Sequence, residues 1–154
     1  MAVRVDIPGR GSLALEHLLL DQNGTLSDRG ALIDGVAERV ARVCDRLHVH
    51  VLSADTFGTL DQLTRELGVD GQRVSSGEDK RAFIGALGAE RCAAIGNGSN
   101  DVAMLHAAAL GIAVTGPEGA STAAISAADI VCRSILDALD LLVDERVLVA
   151  TLRA

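Results

Sequence analysis

Aromatic residues are almost missing from this chain. It has no Trp, no Tyr, and only Phe57 and Phe83 among 154 residues. The core must therefore be built from Ala, Val, Leu and Ile, and there are no aromatic faces on which single-stranded bases would stack. Lysine is nearly absent too: Lys80 is the one Lys among 14 basic residues, the rest being Arg. Acids outnumber bases 21 to 14, for a formal charge of −7. A nucleic-acid backbone or an anionic membrane surface repels such a molecule on average. Long apolar runs are also lacking. The longest weakly polar stretch, Val102 to Val114, includes His106 and Gly111 and is shorter than the ~18 residues of a membrane span. Arg4, Asp6 and Arg10 stand where the apolar core of a signal peptide would lie. Three cysteines, Cys44, Cys92 and Cys132, are far apart with no CxxC. That pattern suits a reducing compartment, with Cys92 and Cys132 as buried thiols in apolar runs. No zinc-ligand spacing is present. These absences together predict a soluble cytoplasmic protein.

What is present is apolar and periodic. Hydrophobic residues make up 49% and the mean hydropathy is +0.31, which supports a packed core and argues against disorder. The length suits one domain, 1–154, with 1–16 as an N-terminal strand extension. Val3, Val5 and Ile7 alternate with polar residues as in a half-buried strand. After Pro8-Gly9-Arg10-Gly11, a second strand is expected from Leu13 through Leu20. Helices are expected after Asp34 (face Val36, Val40, Val43, Leu47), after Thr56 (Leu60, Leu63, Leu67, stopped by Gly68), and after Ser76, where Asp79 completes a capping box. Further helices are expected after Ser99 or Asn100, in Ala-rich 119–128, and after Ser134. Short apolar strands fall between them at 48–52, 92–95, 111–114 and 130–132, with a brief extended piece at 72–74. Residues 147–152 fit helix or strand. Strands alternating with amphipathic helices predict an α/β fold, a three-layer α/β/α Rossmann-like sandwich with a mainly parallel sheet.

In such sheets the ligand site lies beyond the carboxyl ends of the strands. There the sequence has Asp21-Gln22-Asn23-Gly24-Thr25, then Ser53, then Lys80 near a helix start, then Gly96-Asn97-Gly98-Ser99-Asn100-Asp101. Each has an ordinary structural explanation. Asn-Gly is a turn signal, a lone Ser suits a loop, a lone Lys suits a solvated helix face, and Gly-Asn-Gly is half of a dinucleotide fingerprint. Their order along successive strand ends lifts the set above its parts. So does the retention of a compact ammonium at position 80 in an Arg-rich chain.

Over residues 17 to 132 this set resembles the haloacid dehalogenase superfamily, whose motifs run Asp-x-Asp-Gly-Thr, Ser/Thr, Lys and Gly-Asp-Gly-x-Asn-Asp. The last motif, followed by Val102-Ala103-Met104-Leu105, is similar to the phosphorylation domain of P-type ATPases, and the chain most resembles small soluble P-type-ATPase-like proteins. The resemblance implies a Mg²⁺-dependent phosphohydrolase or phosphotransferase with Asp21 as nucleophile, forming an aspartyl-phosphate. It implies Mg²⁺ held by Asp21, the Asn23 carbonyl, Asn97 and Asp101. Lys80 would neutralise Asp21 and the phosphoryl group, and Ser53 would hydrogen-bond the phosphoryl oxygens. Gly24 would admit the phosphate, Thr25 would brace the loop, and Asn100 would join them in binding the cofactor.

Two positions depart from the pattern. Asn23 stands where the family's phosphatases carry the acid/base Asp, and an amide does not shuttle protons at neutral pH. P-type ATPases also lack an Asp there, having Thr, and keep a long-lived phosphoenzyme. Asn97 stands where the family has a metal-binding Asp. Slow turnover or a good leaving group follows, or alternatively a weakly active or inactive phosphate- or nucleotide-binding regulatory module; a structural or interaction protein is a third possibility. Thr25 and Ser53 are separated by 27 residues, and Ser53 and Lys80 by 26, too few for a cap domain. The expected partner is a small phosphorylated molecule or phosphoprotein, not nucleic acid or membrane. An uncapped crevice and exposed strand edges lead to the expectation of a homo-oligomer.

Overall fold

The computed structural model describes all 154 residues. The chain opens with a hairpin, β1 (Val3–Ile7) antiparallel to β2 (Gly11–Leu15). Strand β3 (His17–Asp21) leads to a small flap formed by β4 (Ser27–Asp28) and β5 (Ala31–Leu32). Helix α1 (Val36–Cys44), strand β6 (His48–Ser53), helix α2 (Leu60–Leu67) and strand β7 (Asp70–Arg73) follow. Next come α3 (Gly77–Leu87), β8 (Cys92–Gly96), a 3-10 turn (Ser99–Asp101) and α4 (Val102–Ala107). The chain ends with β9 (Leu110–Val114), α5 (Thr122–Ala127), β10 (Ile130–Cys132), α6 (Ile135–Leu141) and α7 (Glu145–Leu152).

Six strands form one sheet in the order β10-β9-β8-β3-β6-β7, every pair parallel. Side chains alternate across the two faces of a strand, and β3 shows the consequence. Leu18 and Leu20 pack on one face with residues of α1, α2 and α6, whereas Leu19 packs on the other with residues of α3, α4 and α5. The result is the three-layer sandwich that the alternating pattern predicts. Asp21 has the parity of Leu19, so at the end of β3 it lies on the side covered by α3 and α4. No helix is long and apolar enough to cross a membrane.

Several expected boundaries move. The second strand is two: Glu16 breaks it, its N–H donating to the Arg91 carbonyl at 2.8 Å and its own carbonyl accepting from His48 N–H at 2.9 Å. This swivel carries the chain from the hairpin into the parallel sheet. Helix α2 starts at Leu60 after Thr59 rather than at Thr56, and Asp55 Oδ1 caps it by accepting from Leu60 N–H at 2.9 Å. The cap of α3 holds at Ser76, whose Oγ accepts from Asp79 N–H at 3.2 Å, while the Asp79 carboxylate reaches back to Ser75. Residues 147–152 are helical, and α7 packs on β1 of the hairpin. Val3, Val5 and Ile7 are thereby buried within the chain, so the hairpin needs no second copy to cover its apolar face.

Parallel register sets His17 beside His48, and His50 lies on the same strand two residues on. The imidazoles of His17 and His48 stack, and a ring nitrogen of His17 lies 3.2 Å from one of His50. Burial, then the neighbouring imidazoles, lowers the pKa of His17 and of His50, with Glu16 and Asp70 opposing. Below the unfolded value of ~6.5 the unfolded chain therefore binds more protons at these two positions. Their contribution to stability is complete above ~6.5 and is lost as pH falls toward the lowered folded values. The check is urea unfolding from pH 7.5 to 5 for the protein and a His17→Gln/His50→Gln variant. The stability difference between the two should narrow as pH falls. A constant difference would show that the histidines do not titrate with folding.

Candidate active site

The carboxyl edge of the sheet gathers its charges around one ammonium. Lys80 sits in the first turn of α3, with Ile84 one turn later buried against the sheet. It is only 2% exposed. Its Nζ donates to Asp21 Oδ1 at 2.8 Å and to Asp101 Oδ1 at 2.7 Å. Burial by itself lowers the pKa of Lys80, but the two carboxylates outweigh it and hold the pKa above the ordinary lysine value. Burial and the charge of Asp101 push Asp21 up to about 6, against the pull of Lys80 and the Thr25 hydroxyl. The pattern is that of two buried carboxylates sharing one cation.

Asp101 also organises its own loop. Its second oxygen, Oδ2, accepts from the N–H groups of Asn97 and Gly98, both at 3.0 Å. Both oxygens are thus engaged and the residue is fully buried. Asp101 holds the 97–101 loop and Lys80. Gly96 makes this possible, because a Cβ there would lie 2.5 Å from the Asp101 carboxyl carbon.

Asn97 faces the 21–25 loop. Thr25 Oγ1 lies 3.0 Å from Asp21 Oδ2 and 3.3 Å from Asn97 Oδ1, bridging the two. The loop closes on the Gln22 carbonyl, which accepts from the N–H groups of Thr25, Leu26 and Ser27, while Gly24 N–H donates to the Ser27 carbonyl. The Asn23 carbonyl accepts none of these bonds. Gly24 is at φ 77°, in the left-handed region that glycine enters freely. The Asn-Gly pair therefore makes a tight loop at the strand end. The buried side-chain oxygens Gln22 Oε1 and Asn23 Oδ1 lack hydrogen-bond partners.

Other expected residues lie farther from this cluster. Ser53 is at the same sheet edge, one residue beyond the register partner of Asp21. It is buried, but its Oγ accepts from Asp55 N–H at 2.8 Å and it does not join the ion triad. Asn100 is exposed and its side chain makes no hydrogen bond, so it stands outside the cluster. Two contacts escape the sequence reading. Gln22 Nε2 donates to Thr59 Oγ1 at 2.8 Å, tying the 21–25 loop to the start of α2. Glu118, in the turn after β9, brings its carboxylate over Gly24. Gln22 is the variable position of the first motif and Glu118 lies in none; the one sequence signal near Glu118 is the turn chemistry of Gly116-Pro117-Glu118-Gly119.

A family model for haloacid dehalogenase-like hydrolase matches residues 85–137. Two uncharacterized proteins of Methanocaldococcus jannaschii are similar in sequence. One is 55% identical over 60 residues, covering 39% of this chain and 64% of its own length. The other is 44% identical over 39 residues, covering 25% of this chain and 89% of its own length. The chain thus spans less than two thirds of the first relative. Among solved structures, the cobalt-bound deoxy-D-mannose-octulosonate 8-phosphate phosphatase of Haemophilus influenzae superposes with a TM-score of 0.69 at 18% identity, covering 84% of this chain and 87% of that one. The Moraxella catarrhalis 3-deoxy-D-manno-octulosonate 8-phosphate phosphatase, in complex with magnesium ion, phosphate ion and KDO, gives 0.67 at 18%, covering 84% and 86%. An apo phosphoserine phosphatase gives 0.68 at 16%, covering 82% and 98%. At these identities the structures establish a shared fold. The chain is thus similar to haloacid dehalogenase-like hydrolases over residues 85–137 and shares the fold of the phosphatases above.

Breaking a buried ion pair from one side leaves an uncompensated charge, at a cost of ~3–5 kcal/mol. Lys80→Met should therefore lower the unfolding free energy by an amount in that range. Lys80→Met/Asp21→Asn, with one carboxylate removed, should regain part of the loss. Chemical denaturation of the three proteins checks this, and equal stability of Lys80→Met and wild type would refute it.

Proposed function

We propose that the chain is a Mg²⁺-dependent phosphohydrolase or phosphotransferase acting through an aspartyl-phosphate on Asp21. The observation that carries this reading is the buried Asp21–Lys80–Asp101 triad at the carboxyl edge of a parallel sheet. Asp21 attacks phosphorus in line, an Asp21 O–P bond forms, and the bond to the leaving oxygen breaks. Water then cleaves the acyl phosphate, releasing inorganic phosphate and regenerating the carboxylate. Lys80 lowers the repulsion between carboxylate and phosphate, and Asp101 keeps Lys80 in place. The Ser53 hydroxyl is the hydrogen-bond donor proposed for the phosphoryl oxygens, since the N–H groups of residues 24–27 bond within their own loop.

The donor set fits a hard divalent cation. Asp21 Oδ2 and Asn97 Oδ1 flank the same hydroxyl, and the Asn23 carbonyl is free of backbone bonds. All three donors are oxygens, as Mg²⁺ prefers. Magnesium and cobalt accompany two of the related folds. When bound, the cation supplies positive charge against the developing charge of the transferring phosphoryl group.

Asn23 shapes the substrate class. With no proton shuttle at this position, leaving groups that depart as stable anions are favoured, such as acyl phosphates or nucleotides. The likeness to P-type ATPase phosphorylation domains supports a phosphoenzyme that persists. Asn23 and Asn97 together also favour the second reading, a weakly active or inactive phosphate- or nucleotide-binding regulatory module.

One experiment separates the two readings. Asn23→Asp supplies an acid/base, so turnover of sugar phosphates should rise by a sizeable part of the ~10²–10⁴ range of such catalysis. Acyl and aryl phosphates should gain less, and the wild type should retain more phosphoenzyme on Asp21 by intact mass. No gain on either substrate type, with no phosphoenzyme in the wild type, would leave the binding module as the function. Lys80→Arg offers a second check. A planar guanidinium does not replace an ammonium enclosed between two carboxylates, so this variant should recover little of the transfer lost in Lys80→Ala. Wild-type turnover in Lys80→Arg would show that charge alone suffices.

A further inference from the structure

The charge of the site falls short of the cation proposed for it. Asp21 and Asp101 contribute two negative charges and Lys80 one positive, leaving a single negative charge. Asp101 bonds Lys80 and the 97–98 N–H groups, and Asn97 is neutral. Affinity in oxygen-ligand sites grows with the charge of the ligands, so one carboxylate among neutral donors makes a weak site.

A further carboxylate stands at the rim. The turn Gly116-Pro117-Glu118-Gly119 is closed by Gly119 N–H donating to the Gly116 carbonyl at 2.9 Å. Asn97 itself anchors the end of this turn and the start of α5: its Nδ2 donates to the Gly119 carbonyl at 2.9 Å, and its carbonyl accepts from Ser121 N–H at 2.8 Å. The turn also lies against the nucleophile loop, since a Cβ built on Gly116 would be 3.4 Å from the Gly24 carbonyl oxygen. A Cβ built on Gly24 would be 2.2 Å from Glu118 Oε2 and 2.8 Å from Asn97 Nδ2. The absent side chain of Gly24 thus leaves a cradle with the Glu118 carboxylate on one side and the Asn97 amide on the other. Glu118 makes no hydrogen bond or ion pair there, although the chain offers 14 basic residues. The turn that carries it is fixed to the residue whose charge the site lacks.

We infer that Glu118 supplies the carboxylate that Asn97 does not, as the second anionic ligand of a divalent cation site shared with Asp21, the Asn23 carbonyl and Asn97 Oδ1. This rests on the cation-dependent reading above. With Glu118 the cluster carries two net negative charges, which balance one divalent ion. The ligand is displaced from the end of β8 to the turn after β9, and Gly24 keeps the path between them open.

Mn²⁺ is the probe, titrated into the full chain and followed by electron paramagnetic resonance, with Mg²⁺ as competitor. Because Glu118 is exposed and bonds to nothing, Glu118→Gln should keep the metal-free melting temperature. It should weaken Mn²⁺ binding roughly tenfold or more. Asn97→Asp in the Glu118→Gln background should recover the affinity by returning the charge to the end of β8. An unchanged Mn²⁺ affinity in Glu118→Gln overturns the inference alone. It does so even where turnover falls, since Glu118 would then be acting on protons rather than on the metal. Absence of Mn²⁺ binding by the wild type overturns this inference and the cation-dependent function together.

Discussion

A buried ammonium between two buried carboxylates is the constraint to which the rest of the site answers. Lys80 lies 59 residues from Asp21 and 21 from Asp101 in sequence, and each of the three alone would be costly to bury. Together they are stable only if β3, the start of α3 and the loop after β8 meet at one point. The requirement explains several local features. Asp101 uses its second oxygen to fold its own loop, Gly96 gives up a side chain to make room, and Ser76 caps α3 so that its first turn is firm. The triad is at once a structural clamp and, in the proposed function, the means by which a carboxylate approaches a phosphate.

Asn97 is the second junction. Its backbone N–H is held by Asp101, its side-chain oxygen faces Thr25, its side-chain nitrogen holds Gly119, and its carbonyl receives Ser121. An Asp here would lose the donor to Gly119, and with it one of the two bonds that keep the 116–119 turn over Gly24. The amide therefore trades local charge for a fixed turn, and that turn carries Glu118. Asn23 shows no matching compensation: its side-chain oxygen is buried and unpartnered, and no titratable group bonds to it.

The histidine group is at the other end of the molecule. His17 and His48 begin β3 and β6, whereas Asp21 and Ser53 end them. Proton binding at the amino edge of the sheet is therefore separated from the chemistry at its carboxyl edge by the full length of two strands. Burial among neighbouring imidazoles makes the histidines a stability term rather than part of the site.

Much of this was legible in the residues alone. Period-two and helical patterning marked the alternation of strands and helices, and motif order singled out Asp21, Ser53 and the 96–101 loop at strand ends and Lys80 at a helix start, because local patterning and motif order are properties of neighbouring residues. The break at Glu16 was not legible, since it comes from hydrogen bonds to Arg91 and His48, distant in sequence. The helical state of 147–152 was undecided in the pattern, and the packing of α7 over the hairpin decides it. The role of Asp101 was hidden for the same reason: a motif names a carboxylate, but only folding decides whether its oxygens are spent on backbone N–H groups and an ammonium or left for a cation. Glu118 belongs to no motif, and its place over Gly24 comes from Asn97, which holds the turn after β9 against the 21–25 loop. The sequence by itself determined which chemical groups the sheet edge carries. The tertiary structure alone decided which of them touch, because hydrogen bonds and charge pairs between distant segments form only after the chain has closed.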